Sequence, residues 1–276
     1  MLTRVRALVG ASHPGPSIVV TVVAVALGAV TGLPPERIAL VGAVILANQL
    51  SVGWSNDALD AQRDRDAVRA DKPTVRGEVS PRILLAYASV SALAAIALSV
   101  ALGWAAALAQ LVFLASGWAY NAGLKRTLAA TACYVVGFAS LPLIVTLARE
   151  EPAFAAWWAV AIGGMLGLAA HVANVLPDLD ADARHGIRSL PHVLGARGSG
   201  VTALLALAMA AALGALGPPV VTSLGMVGLV ASCTLLVAGL IVVTRHPRSR
   251  ALFRIIMASA LTAVVTLAGA GSAILA

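Results

Sequence analysis

Asn56-Asp57-Ala58-Leu59-Asp60-Ala61-Gln62-Arg63-Asp64 closes one long apolar stretch of this chain, and Asn174-Val175-Leu176-Pro177-Asp178-Leu179-Asp180-Ala181-Asp182 closes another. Both carry the pattern Asn-x3-Asp-x3-Asp. On a helix, residues i, i+4 and i+8 advance only about 40° per step, so each triplet makes one polar stripe. Asp57 projects about 20° from Asp64 and crowds the same face. Like charges that close repel, and a cation relieves them. Two such stripes facing each other would hold hard divalent cations and, through them, a polyphosphate. Asp180 projects away from Asp178 and Asp182 and is the weaker candidate. Pro177 either kinks the helix so that Asp178 and Asp182 tip toward the other motif, or breaks its register. The competing reading is of ordinary solvated charges at a membrane boundary. Against it, seven of the twelve acidic residues, counting Asp66, fall in these two segments, and acidic groups close to a bilayer tend to mark function.

The composition fixes the class. With 60% hydrophobic and 11% charged residues and a mean hydropathy of +0.93, the chain is an integral membrane protein rather than a soluble one. Charge-poor runs predict nine transmembrane helices, near 14–33, 38–56, 83–102, 104–123, 127–148, 153–176, 200–217, 219–243 and 251–275. Turns are expected at Gly103-Trp104 and at Gly217-Pro218-Pro219. Of 19 Lys and Arg, only Arg37 and Arg149 fall outside the N-terminus and alternate loops. That bias places the N-terminus and both aspartate motifs in the cytoplasm, in a plasma membrane such as the bacterial inner membrane. The net charge of +7 is then mostly a topology signal, and no nucleic-acid partner is expected. The first apolar run reads as a retained span, without a signal-peptide cleavage site. Cys133 and Cys233 lie inside spans without metal-type spacing and read as small apolar filler. The polar connections 56–82 and 178–198 are too long for passive turns and together would cap a cavity.

Several residues now carry a resemblance. Asn56-Asp57-x2-Asp60-x3-Asp64 and Asp178-x3-Asp182-x3-Gly186, with Lys72-Pro73-x2-Arg76 and Tyr120-Asn121-x2-Leu124-Lys125, resemble the signature segments of the UbiA superfamily of intramembrane prenyltransferases. The resemblance covers the whole chain as a single domain, 1–276. It implies nine transmembrane helices around a central cavity with cytoplasmic cap loops. It also implies two Mg2+ ions held by Asn56, Asp60, Asp64, Asp178 and Asp182, gripping the diphosphate of an isoprenyl donor, with Asp57 as a near neighbour among the catalytic carboxylates. Two departures bear on substrate choice: Gly77 stands where a Pro is common, and Ser189-Leu190 replaces Thr-Leu.

The implied chemistry is cleavage of an allylic C–O bond, with Mg2+ and nearby cations stabilising the leaving diphosphate and a dry apolar cavity protecting the carbocation. Lys72, Arg76, Lys125 and Arg188 are candidate diphosphate contacts, each equally open to a role as a headgroup anchor. Tyr120 and Asn121 could orient a phosphate or the acceptor, or belong to an interfacial aromatic belt. His171 and Asn174 are candidate acceptor-pocket residues, and His171 is also a candidate to accept the proton, although a buried His is more often hydrogen-bonded between helices. The expected reaction is prenyl transfer to a hydrophobic or aromatic acceptor within the lipid bilayer, as in quinone biosynthesis. The alternatives are a terpene cyclase or transfer to a non-aromatic acceptor such as a phosphosugar, and a carrier as the non-enzymatic reading.

Overall fold

The computed structural model describes residues 2–184 and 186–276, and the side chains of all of these except 2–4, 181 and 184. Arg4 and Arg184 of the basic set therefore fall outside the described side chains. Eleven α-helices make up the described chain: α1 Leu2–Ala11, α2 Pro14–Val30, α3 Pro35–Asp66, α4 Pro81–Val100, α5 Trp104–Asn121, α6 Ala129–Leu147, α7 Trp157–Val175, α8 Leu179–Arg184, α9 Leu190–Leu216, α10 Ser223–Arg245 and α11 Arg250–Gly269. Proline starts α2, α3 and α4 near their first position, where its missing N–H costs nothing. Gly103, at φ 111°, makes the expected turn into α5, a backbone angle that favours glycine.

Nine of these helices occupy the nine expected spans. Seven, α3, α4, α6, α7, α9, α10 and α11, are long and apolar enough to cross a membrane alone, and α1 with α2, bent by 64°, passes as an eighth, broken span. The fourth expected span, α5, is 18 residues long and falls short of that measure because it carries Gln110, Tyr120 and Asn121. Neighbours in sequence pack side by side around the bundle, and α11 closes it by touching α2 and α7.

Three boundaries differ from expectation, each for a visible reason. At 32 residues and 1.5 Å per residue, α3 is about 48 Å long, well beyond the ~30 Å hydrocarbon core. Its last turns carry residues 56–66 out of the apolar layer as continuous helix, so the loop after the second span is shorter than 56–82. Residues 178–198, expected as a polar loop, fold mostly as α8 and the start of α9, which bends at Gly195 (φ 66°, ψ 176°). Pro177 stops α7, and Leu176–Asp178 is a 3-10 turn. The second motif is thus not one helical stripe: Asn174 sits on α7, Asp178 on the turn and Asp182 on α8.

On the face opposite the motifs, the two isolated arginines close helix ends. Arg37 Nη1 donates to Ala148 O at 2.6 Å and to Leu102 O at 3.5 Å, and Arg149 donates to Thr31 O. These carbonyls follow the last turns of α6, α4 and α2 and have no partner within their helices.

Close packing of α6 on α7 needs glycine. A Cβ on Gly167 would press into the Tyr134 carbonyl, 2.8 Å from its carbon, and one on Gly163 would lie 2.5 Å from Phe138 O. Small residues let membrane helices approach this closely. Gly167→Ala is expected to lower stability by about 1–3 kcal/mol through overpacking. Gly15→Ala on α2, where nothing lies within 4 Å, should be neutral or slightly stabilising. Thermal unfolding of both variants in detergent checks the contrast.

Candidate active site

At the motif face, the loop just past α3 reaches the turn between α7 and α8 through Arg69. Asp60, only 5% exposed, is held on both oxygens: Arg63 Nη2 donates to Oδ2 at 2.8 Å, and Lys125 Nζ donates to Oδ1. The same ammonium stands 3.4 Å from Asn56 Oδ1. Lys125 sits in a 3-10 turn, Leu124–Arg126, between α5 and α6. Burial pulls its pKa below the ordinary lysine range, and Asp60 opposes that pull.

The second motif reaches the same place. Arg69, just past the end of α3, binds Asp71 (3.1 and 3.3 Å) and stands 3.5 Å from Asp178 Oδ2. Asp182 is half-buried, and burial pushes its carboxyl above the usual aspartate range; Asp178 and Asp60 push further, while Arg63 and His192 pull it back. Carboxylates from both motifs therefore share one electrostatic environment. Asp64 is 3% exposed, and its Oδ2 is a buried acceptor with no partner.

Other candidates do different work. Asp57 Oδ1 accepts from Lys72 Nζ at 2.7 Å and faces His13 Nε2 at 2.9 Å, tying the α1–α2 corner and the cap loop to α3. Asn121 Nδ2 donates to Val52 O (2.9 Å) and Ser55 Oγ (2.8 Å), so it clamps α5 to α3 just below Asn56 and has no free amide N–H to offer a phosphate. Arg76 is spent on its own loop, bound to Glu78 and to the carbonyls of Ala70 and Asp71. Arg188 is exposed and makes no ion pair among the described residues; only its backbone N–H is engaged, by Arg126 O at 3.1 Å. Asp180 pairs with Arg248, away from the other two carboxylates.

Beneath the carboxylates lies an aromatic cluster. Tyr134 packs 5.1 Å from Tyr120, 5.0 Å from His171 and 6.3 Å from Phe138, and Tyr120 lies 6.0 Å from His171. Asn174, one turn beyond His171, is exposed. His171 is fully buried, yet neither ring nitrogen has a hydrogen-bond partner, so the interhelical hydrogen bond expected from its burial is not made. Two surface cavities, of about 530 Å³ and 360 Å³, lie elsewhere, beside residues 245–249 and between residues 32–34 and 149–151.

Sequence reasoning left out four contributors: Arg63, Arg69, His192 and His13. Arg63 was legible in principle, three residues after Asp60 on one helical face. His13, distant in sequence, carried no local signal.

The donor set fits Mg2+. Asn56, Asp60, Asp64, Asp178 and Asp182 offer only oxygen, and Asp64 leaves one buried oxygen unsatisfied. Among the described residues no three His, Cys, Asp or Glu side chains form a ready cage. Mg2+ usually takes one or two carboxylates and completes its shell with substrate phosphates and water.

Residues 17–261 match the UbiA prenyltransferase family. The chain belongs to that family. A digeranylgeranylglyceryl phosphate synthase of Natronomonas pharaonis is 30% identical over 212 residues, 72% of each chain. A UbiA homologue from Aeropyrum pernix K1 superimposes with a TM-score of 0.73 at 19% identity, covering 92% of this chain and 97% of that one. A homologue from Archaeoglobus fulgidus bound to DMAPP and Mg2+ does so with 0.73 at 15% identity, covering 97% and 99%. This UbiA protein is thus an integral membrane prenyltransferase, and its long helices have the family's arrangement.

Breaking the buried pair exposes its role. Lys125→Met leaves Asp60 with Arg63 alone and is expected to cost about 3–5 kcal/mol. Asn121→Ala, which removes the clamp between α5 and α3, should cost about 1–3 kcal/mol. Denaturation in detergent measures both.

Proposed function

We infer that this UbiA prenyltransferase moves a prenyl group from an isoprenyl diphosphate to a non-aromatic, hydroxyl-bearing acceptor of the glyceryl phosphate class. The observation that carries the donor half is the approach of the motifs to one another, Arg69 in the loop just past α3 standing 3.5 Å from Asp178 while Asp182 feels both Asp60 and Arg63. The acceptor half is supported by the named relative, a digeranylgeranylglyceryl phosphate synthase, and it replaces the quinone-type acceptor as the leading reading. Transfer to an aromatic acceptor is the second reading, favoured by the ring cluster of Tyr120, Tyr134 and His171, which offers faces and edges to stack against.

In this reading Asn56, Asp60, Asp64, Asp178 and Asp182 would hold Mg2+ for the donor diphosphate. Bound there, Mg2+ neutralises negative charge on the leaving group. Lys125 and Arg63, already converging on Asp60, donate hydrogen bonds to diphosphate oxygens as charge develops on them. Lys72 and Arg76 order the cap loop above the site, Lys72 through Asp57, while exposed Arg188 is free to swing onto the diphosphate. Tyr120, Tyr134 and Phe138 present ring faces to the allylic cation and stabilise it. The surrounding apolar helices keep water from quenching it. The basic residues gathered on the motif face orient it to the cytoplasm, in a bacterial-type inner membrane.

The test is turnover with Mg2+, prenyl diphosphates of several lengths, and either a geranylgeranylglyceryl phosphate acceptor or a panel of aromatic acids, with products read by mass. An O-prenylated glyceryl phosphate is expected. A hydrocarbon or prenyl alcohol lacking acceptor mass, or product only with an aromatic acid, would contradict the reading. Asp60→Ala and Asp178→Ala are each expected to reduce turnover by about a hundredfold or more, with Mg2+-dependent donor binding lost alongside.

A further inference from the structure

Three imidazole nitrogens lie buried without a protein partner just below the carboxylates. Two belong to His171 and one is Nε2 of His192. A buried polar atom left unpaired lowers stability, so packing alone gives no reason for a histidine at either place. The rest of the His171 environment is explicit. Its ring is fully buried, flanked by Tyr134 at 5.0 Å and Tyr120 at 6.0 Å. It precedes Asn174 by one helical turn and Asp178 by about two, on the side of α7 that leads to the motif. Gly167, one turn earlier, brings α6 close enough for the Tyr134 ring to meet it.

His192 is fixed in orientation. It is the third residue of α9, where it forms a capping box with Ser189. The Ser189 backbone N–H donates to His192 Nδ1 at 3.2 Å. In the neutral ring this assigns the proton to Nε2, which becomes a buried donor with no acceptor. His192 lies within electrostatic reach of both His171 and Asp182. The two rings thus supply one lone pair and two N–H donors between the aromatic cluster and the diphosphate end of the site.

We propose that His171 is the base that takes the hydroxyl proton of the acceptor during prenyl transfer, and that His192 donates a hydrogen bond that holds the acceptor in place. This rests on the glyceryl-type acceptor inferred above. In the step, the allylic C–O bond breaks and the diphosphate leaves with the electron pair. A lone pair of the acceptor oxygen forms the new C–O bond. The proton of that oxygen passes to the free lone pair of His171, so charge and atoms balance. A neutral imidazole suits this role, since it accepts through one nitrogen while the other N–H can hold the same substrate. An aromatic acceptor attacking through ring carbon would not present a hydroxyl proton at the reacting atom.

The experiment compares wild type with His171→Phe, His171→Gln and His192→Phe, using geranylgeranylglyceryl phosphate as acceptor. Fold is checked by unfolding temperature, and donor affinity by binding of a prenyl thiolodiphosphate with Mg2+. His171→Phe keeps the ring's bulk without nitrogen, and His171→Gln keeps a hydrogen bond without a base. Both are expected to lose about 10²- to 10⁴-fold in kcat with donor affinity unchanged. KM for the acceptor should rise in His171→Phe and His192→Phe and stay near wild type in His171→Gln. Released prenyl alcohol should grow relative to ether product in both His171 variants. If wild type makes the ether and either His171 variant keeps kcat within about twofold, the base assignment is overturned while the acceptor reading stands. If wild type makes no ether, both fall together.

Discussion

Asp60 and its two cations set the terms for the rest of this structure. A carboxylate that is 5% exposed, at the end of a membrane helix, is stable only when paired and hydrogen-bonded. Lys125 arrives from the α5–α6 turn and Arg63 from one turn further along α3, so one charge fixes that turn against α3. The arrangement also prepares the site. In the proposed reading the cations that neutralise Asp60 would also serve a diphosphate, and exchanging a carboxylate partner for a phosphate oxygen would leave each of them paired. Among the described residues neither Asp64 nor Asp182 makes an ion pair, and an added cation gains most there.

The membrane dictates how that charge is carried. The length of α3 lets it bury an apolar segment and still present polar turns beyond it, while Pro177 stops α7 and redirects the chain so that Asp178 and Asp182 approach from the side. Elsewhere many polar groups are satisfied locally. Arg37 and Arg149 cap helix ends, and serines and threonines return hydrogen bonds to their own or neighbouring helices, as Ser51 does to Ala88 O and Ser91 to Ala47 O. The unpartnered nitrogens of His171 and His192 are among several buried polar atoms left without a partner, those of Asn48 and Gln110 included, and His171 is the one set within the aromatic cluster.

Much of this was legible in the sequence. Apolar run lengths placed all nine long helices, the basic residues separated the two faces, and Asn56, Asp60 and Asp64 shared a stripe because α3 has no helix breaker before Asp66. The second motif was legible as chemistry and misleading as geometry, since the proline within it ends the helix that spacing alone would continue. Asn121 and Arg76 look like substrate contacts in one dimension. Their actual partners, Val52 and Ser55 for one and Glu78 for the other, emerge only when helix packing and loop closure are known. His192 was silent because its importance lies in a tautomer set by the backbone of Ser189. The identity of the acceptor was not legible at all, because no single side chain encodes it.

The central claim is that carboxylates from two separated segments act as one diphosphate site. A double-mutant cycle on Asp64→Asn and Asp182→Asn, with Mg2+-dependent binding of a prenyl diphosphate followed by calorimetry, addresses it most directly. One shared site predicts strong coupling: the double variant loses little more affinity than the worse single variant, a departure from additivity of tenfold or so, about 1.4 kcal/mol. Losses that simply add, or a single variant that binds as wild type does, would contradict it.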